Sequence, residues 1–239
     1  MAPKLHKYAT IRETLCRKFW RCRDTQEAAP YAAYLWEKAE YYVAKRCFDV
    51  AFSLLMLILL FPLLLLIAAV IALDSRGAVL YVHRRVGLYG REIALLKFRT
   101  MCVGADGLTA SFTETQRTEW EQRRKLRHDP RVTRVGHVLR RTGLDELPQL
   151  WNVLRGDLSL VGPRPIPSDE LARYGARRAV FLSVPPGLTG YWQVDADEDE
   201  SYEQRMAMEL HYAANANLRW DARILAKTVC VMLMGKNRE

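Results

Sequence analysis

Val50–Leu73 reads VAFSLLMLILLFPLLLLIAAVIAL, twenty-four residues without a charged side chain and with a proline, Pro62, at the centre. At about 1.5 Å rise per residue, a helix of this length is long enough to cross a hydrocarbon core of ~30 Å. The flanks argue against a crossing. Residues 1–46 hold ten Lys/Arg against five acids, and residues 74–99 hold six against two. Basic segments beside an apolar run prefer the cytoplasmic side, and here both flanks are basic. A helix broken at Pro62, dipping into one leaflet and returning, satisfies both. Proline removes a backbone donor and clashes with the preceding turn, which suits it to the apex. A kinked transmembrane helix is the alternative.

Outside this run the chain reads as an α/β, α-rich domain without internal repeats or a low-complexity linker, hence one compact unit. Three regions follow: 1–46, basic and aromatic; 47–73, the re-entrant membrane helix; and 74–239, of mixed composition and on the cytosolic side with both flanks. In the first, Leu5, Tyr8, Ile11, Leu15 and Phe19 recur at helical spacing between cations, the pattern of an amphipathic interfacial helix, with a loosely structured tail as the equal alternative. Residues 31–46 are helical and rich in tyrosine. Tyr81–Val82 and Ile93–Phe98 read as strands with a turn between Gly87 and Gly90. Residues 114–127 form an exposed helix. Ile224, Leu225, Thr228, Val229 and Met232 share one face of a terminal helix, which is interfacial or simply packed.

The net charge of +9 fits an anionic membrane surface, phosphate-bearing substrates or nucleic acid. No groove-reading motif or array of stacking aromatics accompanies it, so nucleic acid is not an expected partner. Five cysteines without a C-x-x-C pair, and five histidines without an H-x-x-x-H spacing, speak against disulfides and zinc. The apolar run begins too late and runs too long for the core of a signal peptide.

The densest chemistry lies between Arg140 and Pro165. Asp145 and Glu146 precede a proline and a helical pattern from Leu147 to Leu154, which places two carboxylates at a helix N-terminus. Arg140 and Arg141 lie just upstream, and Arg164 stands between two prolines that fix φ. Guanidinium groups held this way grip phosphate oxygens bidentately. Capped ion pairs are the plain reading of such a segment. With three anion-binding elements beside an acidic pair, phosphoryl chemistry is the sharper one: one carboxylate attacks phosphorus and the other holds a divalent metal.

Three segments, KFRTM (Lys97–Met101), DELPQ (Asp145–Gln149) within LDELPQLWNVLRGDLSLVGPRP, and PGLTGYWQV (Pro186–Val194), resemble the bacterial sugar transferase family, the monotopic polyprenyl-phosphate phosphoglycosyl transferases. The resemblance runs in order from about Lys45 to the end of the terminal helix and includes the apolar run. It implies a short-form enzyme on the cytosolic face of the bacterial inner membrane. That enzyme would transfer a sugar 1-phosphate from a UDP-sugar to undecaprenyl phosphate and release UMP. Asp145 would be the nucleophile, with Glu146 completing the dyad; the two would hold Mg²⁺. Arg140 and Arg164 would bind phosphate, Lys97 and Arg99 would support the site, and Gln193 would contact substrate. Membrane lipid is a further partner, and a homodimer is compatible with the family. An inactive scaffold of the same fold is the alternative, against which the intact dyad and arginines argue.

Two departures stand out. Phe61, not serine, precedes Pro62, so no hydroxyl satisfies the carbonyl freed at the bend. After Val194 the chain reads Asp195, Ala196, Asp197, Glu198, Asp199, Glu200, an acidic stretch where many relatives carry glycine and arginine. The Tyr191–Val194 segment is more similar to relatives that handle a simple hexose than to those handling acetamido sugars.

Overall fold

A computed structural model describes residues 38–105, 107, 112–123, 126, 129–196 and 201–234. The amphipathic helix expected over 4–20 lies outside these residues, as do Asp197–Glu200 of the acidic stretch. The first described helix, α1 (Ala39–Leu59), runs through the boundary expected at 46/47. It ends at Leu60, whose φ of −89° and ψ of 0° leave the helical well, and α2 (Phe61–Asp74) follows. The break therefore precedes Pro62 by two residues. Proline occupies the first turn of α2, where its missing N–H has no intrahelical acceptor to lose. Among the described residues no single helix is long and apolar enough to cross a membrane, but the α1–α2 pair, bent by 61°, passes that test together.

Strands β1 (Leu80–Val86) and β2 (Glu92–Phe98) form a two-stranded sheet, closed by a short 3₁₀ turn at Leu88–Gly90. The expected strands and turn are present. Helix α3 spans Glu114–Arg123, and α4 spans Arg134–Thr142. A 3₁₀ turn at Leu144–Glu146 leads towards α5 (Gln149–Arg155) and β3 (Ser159–Val161). A 3₁₀ segment (Glu170–Arg177) and α6 (Arg178–Leu182) carry the chain across to β4 (Gly187–Thr189). The last elements are α7 (Tyr191–Asp195), α8 (Tyr202–Asn215) and α9 (Leu218–Met234).

The described chain divides into two compact units. One comprises the described residues up to Leu59, His83–Leu95 and Gln149–Met234; the other comprises Leu60–Val82 and the described part of Leu96–Pro148.

In the first unit α1 is held by polar anchors. Lys45 Nζ lies 2.7 Å from Asp221 Oδ2, an oxygen that also accepts from Tyr41, while Tyr212 donates to Oδ1. Arg46 donates to the carbonyls of Val153 (2.6 Å) and Leu154 (2.9 Å) in the last turn of α5, where Val153 O also accepts the Gly156 N–H at 3.0 Å. Asp49 accepts from the Leu160 amide of β3. Two of the ten cations that precede the apolar run, Lys45 and Arg46, are thus buried against protein. They do not face a lipid surface, and the charge argument keeps only the remainder. Further along α1, Leu54, Leu55, Ile58 and Leu59 are exposed.

Strands β3 and β4 pair in parallel, Ser159 opposite Gly187 and Val161 opposite Thr189, with the crossover that parallel strands require between them. Just past β3, a Cβ at Gly162 would run into Pro185 O and Gly187 N, and one at Gly187 into Gly162 N. The glycines of the GPRP and PGLTG segments are needed because the two backbones touch. The apolar core is formed by Val86, Ile166, Tyr174, Phe181, Leu182, Met206 and Leu210. In α9, Ile224 is buried while Val229 and Met232 are exposed, so the expected apolar face is half packed and half open.

The second unit is centred on Ile67 and Ile71 of α2, Phe98 and Leu139, with Val79, Val135, Leu144 and Leu147 around them. Burying each isoleucine stabilises the fold by roughly 1.5–3 kcal/mol. The opposite face of α2 leaves Phe61, Leu65, Leu66 and Leu73 exposed.

Candidate active site

The acidic pair is positioned from both sides of the second unit. Thr133 caps α4 by accepting from the Gly136 amide. Gly136 lies so close to the Thr100 carbonyl that no Cβ fits, and Thr133 N–H donates to that same carbonyl at 3.0 Å. The KFRTM segment and α4 are thereby locked together. At the far end of α4, Gly143 takes the left-handed conformation (φ 71°), which glycine adopts without a Cβ clash, and its amide closes onto Arg140 O. The chain turns directly into Leu144–Glu146. Asp145 and Glu146 therefore sit in a 3₁₀ turn of their own, separated from α5 by Leu147 and Pro148. They are not in the first turn of the helix, as the proline spacing implies.

Four of the residues singled out by sequence come together here: Lys97, Arg140, Asp145 and Glu146. Lys97 Nζ lies 2.7 Å from Glu146 Oε1, and both side chains are partly shielded. Arg140 Nε donates to Thr100 Oγ1 at 2.9 Å. Asp145 makes no ion pair, and among the described residues its carboxylate accepts no hydrogen bond from another residue. Burial pushes the Asp145 carboxyl above its ordinary range and the adjacent Glu146 pushes it further, while Lys97 and Arg140 pull it back.

The other expected residues are placed elsewhere. Arg99, in the same unit, turns to the end of α2, donating to the carbonyls of Arg76 (2.6 Å) and Ser75 (2.7 Å) and to the Ser75 hydroxyl. Its two terminal nitrogens are engaged in holding that helix end. Arg164 and Gln193 belong to the first unit. The Arg164 guanidinium lies 5.8 Å from the Trp192 ring, and the Gln193 side-chain oxygen is buried without a hydrogen-bond partner among the described residues. Pro62 stands in α2, where its role is the helix start described above.

Much of the LWNVLRGDLSLVGPRP segment is structural. Asn152 is fully buried and donates to Ala94 O at 2.7 Å, and Asp157 is flanked by Arg91 and Arg155. Thr100 and Glu209 are the polar residues that sequence reasoning misses. Glu209 was in principle legible, because it falls with Met206, Leu210 and Ala213 on the buried stripe of α8. Thr100 lies within the KFRTM segment, from which sequence reasoning takes Lys97 and Arg99 but not the threonine between Arg99 and Met101.

Among the described residues no group of three or more His, Cys, Asp or Glu side chains forms a metal cage. The dyad nonetheless suits Mg²⁺, which takes one or two carboxylates and completes its octahedron with phosphate oxygens and water. Two adjacent carboxylates, one raised by the other, form a pair whose repulsion a divalent cation relieves.

Over 197 residues, 81% of this chain and 87% of that protein, the sequence is 43% identical to the exopolysaccharide production protein ExoY of Sinorhizobium fredii. It is 43% identical over 192 residues to the undecaprenyl-phosphate galactose phosphotransferase of Salmonella typhimurium, covering 79% of this chain and 40% of that longer protein. It is 40% identical over 201 residues to the UDP-glucose:undecaprenyl-phosphate glucose-1-phosphate transferase of Caulobacter vibrioides, covering 81% of this chain and 71% of that protein. The bacterial sugar transferase family model matches residues 40–235, and the chain belongs to that family.

Proposed function

We propose that this protein transfers a hexose 1-phosphate from a UDP-sugar to undecaprenyl phosphate in two half-reactions through Asp145, as a membrane step of bacterial exopolysaccharide synthesis. The observation that carries the mechanism is the asymmetry of the dyad: Glu146 is paired with Lys97, whereas Asp145 is not paired and is pushed towards higher basicity. The names of the relatives support the reaction class and supply both galactose and glucose as donors to test.

In the first half-reaction an Asp145 oxygen attacks the phosphorus that bears the sugar. An Asp–O–P bond forms, the bond to the nucleotide phosphate oxygen breaks, and UMP leaves with the electron pair. In the second, the phosphate oxygen of undecaprenyl phosphate attacks the same phosphorus and returns the carboxylate. Glu146 and Lys97 hold the turn in place, and Arg140, oriented by Thr100, offers its remaining N–H groups to phosphate oxygens. Mg²⁺, held by Asp145 and Glu146, would neutralise charge on the diphosphate. Exposed leucines and isoleucines on α1 and α2 support a re-entrant anchor at the cytosolic face of the inner membrane.

The test is incubation with UDP-glucose or UDP-galactose and Mg²⁺ without acceptor. Up to one equivalent of UMP and a sugar-phosphate mass on the peptide containing Asp145 are expected. Release of UMP only when undecaprenyl phosphate is also present would replace the covalent route with direct displacement.

A further inference from the structure

Three guanidinium groups converge in the first unit, on elements far apart in sequence. Arg85 lies on β1, Arg164 in the turn after β3 and Arg205 on α8. Arg205 stacks over the Trp192 ring at 4.2 Å and Arg164 approaches the same ring at 5.8 Å. Arg85 lies within their electrostatic reach: burial first, then the positive charge of Arg164 and, less strongly, of Arg205 hold its guanidinium below the ordinary range, while Glu170 and Asp169 pull it back without pairing with it.

The local acids do not explain the gathering. Glu209 is buried, with Oε1 accepting from the Arg164 backbone N–H at 3.2 Å and Oε2 accepting from Tyr174 at 2.6 Å. Arg205 Nε stands 3.6 Å from Glu209 Oε1, an ion pair too long for a hydrogen bond, and is buried without a hydrogen-bond partner. Glu170 accepts from Tyr202. Among the described residues the Arg164 guanidinium has no hydrogen bond or ion pair, and the only side-chain bond of Arg85 is a 3.5 Å contact with His83. The Gln193 carboxamide oxygen, beside Trp192 in sequence, is likewise unpaired.

Stacking on a ring uses the face of a guanidinium and leaves its in-plane N–H groups free for an acceptor. Like charges brought together repel, and the acids nearby offset only part of that repulsion, so an anion between the free N–H groups would relieve the rest. We infer that Arg85, Arg164 and Arg205, backed by Trp192, form one anion site for the phosphate groups of a phosphate ester, with Arg85 and Arg205 as binding residues alongside Arg164. Glu209 is a positioning residue: it fixes the turn that presents Arg164. The inference deepens the transferase reading and rests on it for the source of the phosphate, which is the soluble sugar nucleotide or the lipid phosphate.

The experiment is calorimetric titration of the detergent-solubilised full chain with inorganic pyrophosphate, in the wild type and in Arg85→Gln and Arg205→Gln. Loss of charge-assisted hydrogen bonds should weaken binding about tenfold or more in each variant. Arg219→Gln, an exposed cation on α9, should stay within twofold, and Arg205→Lys, which keeps charge and bulk but not the fork, should fall between. Steady-state assays then separate the sources. A raised KM for the UDP-sugar alone assigns the site to the donor, and a raised KM for undecaprenyl phosphate alone assigns it to the lipid. If no sugar phosphate is transferred but pyrophosphate binding falls in both glutamine variants, the anion site stands and the transferase reading fails. If transfer is normal and both variants bind pyrophosphate within twofold of the wild type, the anion site is overturned and the transferase reading stands.

Discussion

In the turn at Asp145 the cations are engaged and one acid is not; around Trp192 the acids are engaged, while among the described residues the guanidiniums of Arg164 and Arg205 find no hydrogen-bond acceptor and Arg205 keeps only its 3.6 Å ion pair with Glu209. Lys97 is paired with Glu146 and Arg140 is held by Thr100, which leaves Asp145 as the group short of partners. Glu209 and Glu170 accept from Arg164 N–H and two tyrosine hydroxyls, which leaves Arg164 and Arg205 short of acceptors. An undercompensated carboxylate is prepared to give an electron pair, and undersatisfied guanidiniums are prepared to receive phosphate oxygens. The same kinds of residue thus serve opposite purposes, according to which member of each pair is already occupied.

The comparison breaks most sharply at Asp145. Asp145→Asn should abolish both UMP release and covalent labelling, with a loss of about 10⁴-fold or more in rate. Turnover near the wild-type rate would remove the nucleophile from the account. On the cationic side, Arg164→Lys keeps the charge and loses the planar fork, so kcat/KM should drop by roughly 5- to 150-fold. A near-normal value would reduce Arg164 to a structural role. Thr100→Val removes the acceptor that orients Arg140 while preserving shape, and a loss of about fivefold is expected from one hydrogen bond of ~1 kcal/mol. Here circular dichroism must show an unchanged fold.

The subtlest test reads a pH profile. Asp145 must be ionised to attack, and its carboxyl is raised by burial and then by Glu146, while Lys97 and Arg140 lower it. Activity should therefore fall on acidification at a higher pH than an ordinary aspartate would dictate. In the residual activity of Glu146→Gln the acid limb should move to lower pH, because a like charge has gone. In Lys97→Met it should move to higher pH. Shifts in the reverse directions would mean that the limb reports another group.

The sequence makes the acidic turn far easier to find than the cationic cluster. Asp145, Glu146 and Arg140 lie within seven positions, and the glycine and proline around them mark the turn. The β1–β2 hairpin and the terminal helix were equally legible, since each depends on local periodicity. Arg85 and Arg205 flank Arg164 by 79 and 41 residues, and only the folded chain brings Arg205 to the ring that Arg164 approaches and Arg85 within their electrostatic reach. Arg99 stands in a telling motif, and what the motif does not reveal is that the carbonyls just past α2 accept from its two terminal nitrogens. The two units escape composition altogether, because the chain passes from one to the other at several points without a linker. The bend at Leu60 is displaced from Pro62 because proline fits the start of a helix better than its end.

The burial of Lys45 against Asp221 has a consequence in time. The partners are 176 residues apart, so at synthesis rates of about 5–20 residues per second Lys45 is made roughly 9–35 s before Asp221. Arg46 waits in the same way, for carbonyls that lie 107 and 108 residues downstream. Until its own partner is made, each cation adjoins a newly made apolar stretch, with Asp49 as the acid nearest in sequence to offset its charge. Their charges then belong to the nascent chain's surroundings, and only later to its interior.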